Sequence, residues 1–128
     1  LSFDFRLAAK PYDKAQVATE NLKLERELSA WVYLPRGTPD TLELFGYVLE
    51  RNDDSHDPGK PEWPFYKTPT VHLRPGTWTR VSFVADQFAG VNTNLRWSNP
   101  PHLLGFEVHA VDRGVLNGTV YFDDISVA

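Results

Sequence analysis

Trp31 and Tyr33 stand two residues apart in Leu28-Ser29-Ala30-Trp31-Val32-Tyr33-Leu34-Pro35, alternating with Leu28, Ala30, Val32 and Leu34. On a strand, that alternation puts both rings on the face opposite the apolar one. An exposed indole stacks on the flat C–H face of a sugar ring, burying apolar area while the ring hydroxyls bond nearby polar groups. The pair is therefore either a sugar platform or a secondary core beneath covering loops. Trp63, in Glu62-Trp63-Pro64-Phe65-Tyr66, and Trp97, in Arg96-Trp97-Ser98-Asn99, fall in long polar stretches. Such loops line the rim of a β fold, where binding residues concentrate, although a tryptophan there can also pin its loop to the body. Tyr66 joins this candidate set through its neighbour Trp63. Trp78, which opens a strand after Pro75-Gly76-Thr77, reads as structural.

Polar partners come from the same kind of alternation. His72 alternates with Val71 and Leu73, Arg80 with Val81, and Glu107 and His109 with Phe106, Val108 and Ala110. All four are expected to project away from the core. Arginine and glutamate forks can bond adjacent hydroxyls of a pyranose in a bidentate way. Taken singly, each is an ordinary residue of a solvated face; as a group they carry more polar functionality than such a face requires.

Hydrolysis of a glycosidic bond needs two carboxylates facing it, one with a perturbed pKa. Glu43, Glu50, Glu62 and Glu107 could supply a pair, but no glycanase signature surrounds any of them. The chain also lacks G-x-S-x-G, H-E-x-x-H and a Gly-rich phosphate loop. The enzyme alternative is a small polysaccharide lyase or glycanase, with His72, Arg80 and His109 as the lyase set on one face. The acidic run Asn52 to Gly59 fails the EF-hand pattern, since Pro58 occupies the place of the required Gly. The sequon Asn117-Gly118-Thr119 is expected in a turn, which Asn-Gly explains by itself.

Composition narrows the classes. A chain of 128 residues has room for one core, so residues 1–128 are expected to form a single domain. The net charge of −4 counts against nucleic acid, which needs a basic face. No apolar run approaches the roughly 20 residues of a membrane helix, so no membrane partner is expected. Absence of cysteine excludes disulfides, thiolate metal sites and a cysteine nucleophile. Absence of methionine leads us to expect a mature or excised piece of a longer protein.

The elements that must position these side chains are short strands. Leu1 to Leu7 alternates strictly and Leu28 to Pro35 alternates again, and Thr77 to Ala85, Leu103 to Val111 and Thr119 to Val127 read as further strands. Thr41 to Arg51 is apolar on both faces, which marks a central strand or a second covered surface. Lys10 to Glu27 reads as a loop plus a short edge strand, and Thr68 to Leu73 as another strand. Turns at Arg36 to Asp40 and Arg74-Pro75-Gly76, and long loops at Asn52 to Pro64 and Asp86 to Pro101, separate them. About eight strands at this spacing predict an all-β, antiparallel β-sandwich of the jelly-roll type.

Three segments together carry a resemblance: Leu28 to Pro35, Leu73-Arg74-Pro75-Gly76-Thr77-Trp78-Thr79-Arg80-Val81-Ser82-Phe83, and the closing Gly118-Thr119-Val120-Tyr121-Phe122-Asp123-Asp124-Ile125-Ser126-Val127. They resemble the galactose-binding-domain-like jelly-roll carbohydrate-binding modules attached to bacterial mannanases, xylanases and β-glucanases. The resemblance implies a secreted, non-catalytic module that binds a β-linked plant polysaccharide or oligosaccharide and targets a covalently attached glycoside hydrolase to it. It also implies a structural calcium, which an Asp in the closing strand helps to hold in those modules. Asp123 and Asp124 are the matching positions here. Asp123 shares parity with Ile125 and Val127 and is expected to point inward, where an unpaired carboxylate is costly. The N-terminal glutamate that usually assists has no counterpart in this chain. The same terminal motif closes jelly rolls that bind no sugar, so a structural spacer is the third expectation.

Overall fold

The computed structural model describes residues 2–7, 14–20, 24–50, 64–90, 103–111 and 116–128. Among them lie nine strands: β1 (Ser2–Leu7), β2 (Lys14–Glu20), β3 (Glu27–Tyr33), β4 (Leu42–Leu49), β5 (Phe65–Lys67), β6 (Val71–His72), β7 (Trp78–Val84), β8 (Leu103–Ala110) and β9 (Leu116–Val127). One 3-10 turn, Ala85–Gln87, follows β7. The strands form two antiparallel sheets. Sheet I has the order β1-β9-β3-β7; sheet II has the order β2-β8-β4-β5, with β6 pairing farther along β4. The expected all-β antiparallel sandwich is what the chain forms.

Alternation explains why these segments pair as they do. Leu28, Ala30, Val32 and Leu34 are buried on one side of β3, and Val81 and Phe83 do the same from β7. From sheet II, Leu44, Val48, Leu104, Phe106 and Val108 meet them in one continuous core. Phe106 links the layers, with its ring centroid 6.3 Å from Phe83 and 5.5 Å from Phe122. β4 is the central strand anticipated from its two apolar faces: Phe45 and Tyr47, on the side opposite Leu44, are buried as well.

At Gly46 the layers approach closely. A Cβ there would lie 2.9 Å from Phe83 and 3.2 Å from Phe88, so any larger residue would push on both rings. The same residue ties the link between β5 and β6 to β4: the Thr68 N–H donates to the Gly46 carbonyl and the Thr68 hydroxyl accepts from the Gly46 N–H, each at 2.9 Å.

β9 differs from the expectation in two respects. β9 begins at Leu116, so Asn117 and Gly118 lie in a strand paired with Arg6 and Phe5 and not in a turn. Pairing with β1 outweighs the local turn preference of Asn-Gly. β9 also contains a bulge: Ser29 pairs with Ser126 and Trp31 with Asp123, so two steps along β3 face three along β9. The extra residue is absorbed at Asp124, whose φ of 49° is left-handed, a region that aspartate tolerates better than most residues. The bulge reverses the side-chain parity of the strand. Phe122 therefore points into the core and Asp123 points out, the opposite of what uninterrupted alternation from Val127 implies.

Candidate functional site

The outer face of sheet I carries an aromatic patch built by register. Tyr33 on β3 lies opposite Trp78 on β7 and Tyr121 on β9, which makes one row across three strands. Ring centroids are 5.2 Å apart for Tyr33 and Trp78 and 6.1 Å for Tyr33 and Tyr121. In the next outward row, Trp31 lies between Arg80 and Asp123. Trp31, Trp78 and Tyr121 are 40%, 46% and 40% exposed, a large apolar area to leave in water. Beyond Trp31, Ser29 pairs with Ser82 on one side and Ser126 on the other. The Ser82 hydroxyl donates to Glu27 Oε2 at 2.6 Å, and Arg80 sits 3.6 Å from Glu27 Oε1. Aromatic surface and hydrogen-bonding groups thus share one face.

The outer face of sheet II is different in character. Glu107 on β8 is only 5% exposed and accepts a 2.6 Å hydrogen bond from Gln16 of the edge strand β2. Phe45 and Tyr47 on β4 cover the same face. The His109 ring meets Phe45 edge-on at 5.4 Å, Lys67 lies over Phe45 at 5.4 Å, and Phe65 stacks on Tyr47 at 5.6 Å. At one end two imidazoles meet two carboxylates, His72 with Asp40 at 2.7 Å and His109 with Glu43 at 3.4 Å.

Burial, reinforced by the neighbouring Glu107 carboxylate, pushes the Tyr47 hydroxyl up to about 12. The folded state therefore holds this proton more tightly than the unfolded chain, whose tyrosines ionise near 10. Its contribution to stability is complete below about pH 10 and is lost as the pH rises through about 12. Absorbance titration of the folded protein is expected to include a late phase from Tyr47, and Tyr47→Phe should remove that phase. An unchanged titration curve in the variant would contradict this assignment.

The candidates from the sequence separate accordingly. Trp31, Tyr33 and Arg80 come together on sheet I. His72, Glu107 and His109 lie on the outer face of sheet II, the opposite side of the sandwich. All six point away from the core, as alternation indicates, but the lyase set of His72, Arg80 and His109 does not share a face. Tyr66 is fully buried, because β5 turns Phe65 and Lys67 outward and Tyr66 into the core; it is no surface ligand-binding residue. Trp63 and Trp97 lie outside the described residues, as does Glu62.

Asp123 and Asp124 are both exposed, and the Asp124 N–H donates to Asp123 Oδ1 at 3.0 Å. The inward carboxylate that would call for a cation is therefore absent from β9. Among the described residues no three His, Asp or Glu side chains converge as a metal-binding group.

Trp78, read from the sequence as structural, and Tyr121, not singled out there, join Trp31 and Tyr33 on this face. Trp78 alternates with Val81 and Phe83, and Tyr121 with Val120 and Phe122, so their outward direction was readable. Their meeting with Tyr33 depends on strand order, which alternation does not carry. Compared with known proteins, the chain matches no family model, no curated protein and no solved structure.

Proposed function

We propose that the chain is a non-catalytic carbohydrate-binding module of jelly-roll type. It binds a β-linked plant polysaccharide through the outer face of sheet I and holds an attached, secreted glycoside hydrolase at that substrate. The observation that carries this reading is the exposure of Trp31, Trp78 and Tyr121 in one continuous patch with Tyr33. Leaving two indoles and a phenol in water is unfavourable unless a ligand covers them, and the C–H face of a pyranose fits such a surface. Arg80, Glu27 and Ser82 beside the rings supply partners for sugar hydroxyls.

The test is affinity electrophoresis of the whole chain through gels containing galactomannan, xylan, β-glucan or galactan. Retardation by at least one polymer, with no new reducing ends or unsaturated products after prolonged incubation, is the expected result. Products of either kind would make the chain an enzyme. Free migration in all four gels would leave it a structural spacer.

A further inference from the structure

Arg80 occupies a particular position in this patch. It follows Trp78 by two residues on the outer side of β7 and faces Trp31 across β3, with its guanidinium turned toward Glu27. An arginine there is ordinarily an attraction for an anionic ligand. Here its charge is met by Glu27. Glu27 Oε1 lies 3.6 Å from the guanidinium, while Glu27 Oε2 is held by the Ser82 hydroxyl at 2.6 Å, which fixes the carboxylate toward Arg80. Asp123, exposed, lies on the far side of Trp31. The whole chain carries a net charge of −4, which adds a background repulsion for polyanions.

From this arrangement we infer that the platform selects uncharged glycans over uronate-bearing ones, and that Glu27 sets the selection by neutralising Arg80 in place. The inference rests on the sheet I face being the sugar site. With Glu27 present, Arg80 offers a fixed fork of N–H donors to sugar hydroxyls without a net pull on a carboxylate. Glu27 is a positioning residue in this scheme; Arg80 and the two tryptophans touch the sugar.

Changing Glu27 to glutamine keeps the shape and an oxygen acceptor for Ser82, and removes only the charge that cancels Arg80. The measurement compares each neutral polymer that retards the protein with a carboxymethylated form of the same polymer, so that the backbone is constant. The parent chain is expected to bind the neutral form more tightly. In Glu27→Gln the ratio should move toward the carboxymethylated form by about fivefold in low salt, the upper range for an exposed ion pair. The shift should disappear in roughly 0.5 M salt, where screening shortens the reach of the charge to a few ångströms. Asp40→Asn removes the same net charge beside His72 on the other sheet and should leave the ratio unchanged.

A preference of the parent chain for the carboxymethylated form would overturn the inference, as would an unchanged ratio in Glu27→Gln or an equal shift in Asp40→Asn. In each of these cases the sugar site itself would still stand, provided Trp31→Ala loses retardation. If the parent chain is retarded by none of the polymers, or if Trp31→Ala binds as tightly as the parent, the sheet I site fails and the selection fails with it.

Discussion

Replacing Trp31 and Trp78 together with alanine is expected to weaken binding of any retained polysaccharide about a hundredfold. Each indole is 40% or more exposed and has roughly half of its surface to bury on a sugar face. At the usual value of burying apolar area, the pair accounts for about 2–3 kcal/mol, which is between one and two orders of magnitude in Kd. The fold should survive, because neither side chain belongs to the core. The main internal loss is the contact of Trp78 with Tyr33 at 5.2 Å, a cross-strand pair of a kind that contributes about 1 kcal/mol or less. The melting temperature is therefore expected to fall by no more than a few degrees. Isothermal calorimetry with the retarding polymer, read beside a thermal melt, separates the two effects. Retained affinity in a folded double variant would move the site away from sheet I, and Glu107→Gln on sheet II would then be the variant to examine.

Phe106→Ala should do the reverse, destabilising the protein without touching either outer face. Phe106 is nearly fully buried on β8, and its ring contacts Phe83 from β7 and Phe122 from β9, so it fastens sheet II to sheet I. Truncating a phenylalanine in such a position removes transfer energy and leaves a cavity, at a cost of about 3–5 kcal/mol. Against a total stability of roughly 5–15 kcal/mol, that loss is a large part of the whole. Urea unfolding should show a midpoint far below that of the parent chain with little change in slope. Phe106→Leu, which restores most of the volume, should recover much of the loss. A Phe106→Ala loss under about 1 kcal/mol would mean that the two layers are not joined where the rings meet.

The contrast between these variants shows what was legible in the chain and what was not. Trp31 and Phe106 are both large and aromatic, and the period-2 pattern around each already separates them, one outward and one inward. The same pattern placed His72, Arg80, Glu107 and His109 outside the core correctly. It misled at Asp123, because a single inserted residue at Asp124 reverses the parity of everything on one side of it. It was silent at Tyr66, whose strand has only three residues, too few for a period to show.

Sidedness relative to the core, then, belongs to the sequence: it is a local property, set by which neighbours two residues away are apolar. The pairing of Tyr33 with Trp78 and Tyr121 is of another kind, since those residues are far apart in the chain and adjacent only because β3 lies between β7 and β9. The same holds for the division of the polar candidates between two sheets. Strand order and register are fixed by the fit of whole apolar faces across the core, a non-local competition that no short window of sequence contains. Trp31 and Tyr33, read first as a pair on one strand, became through that competition half of a four-ring patch with Arg80 beside it.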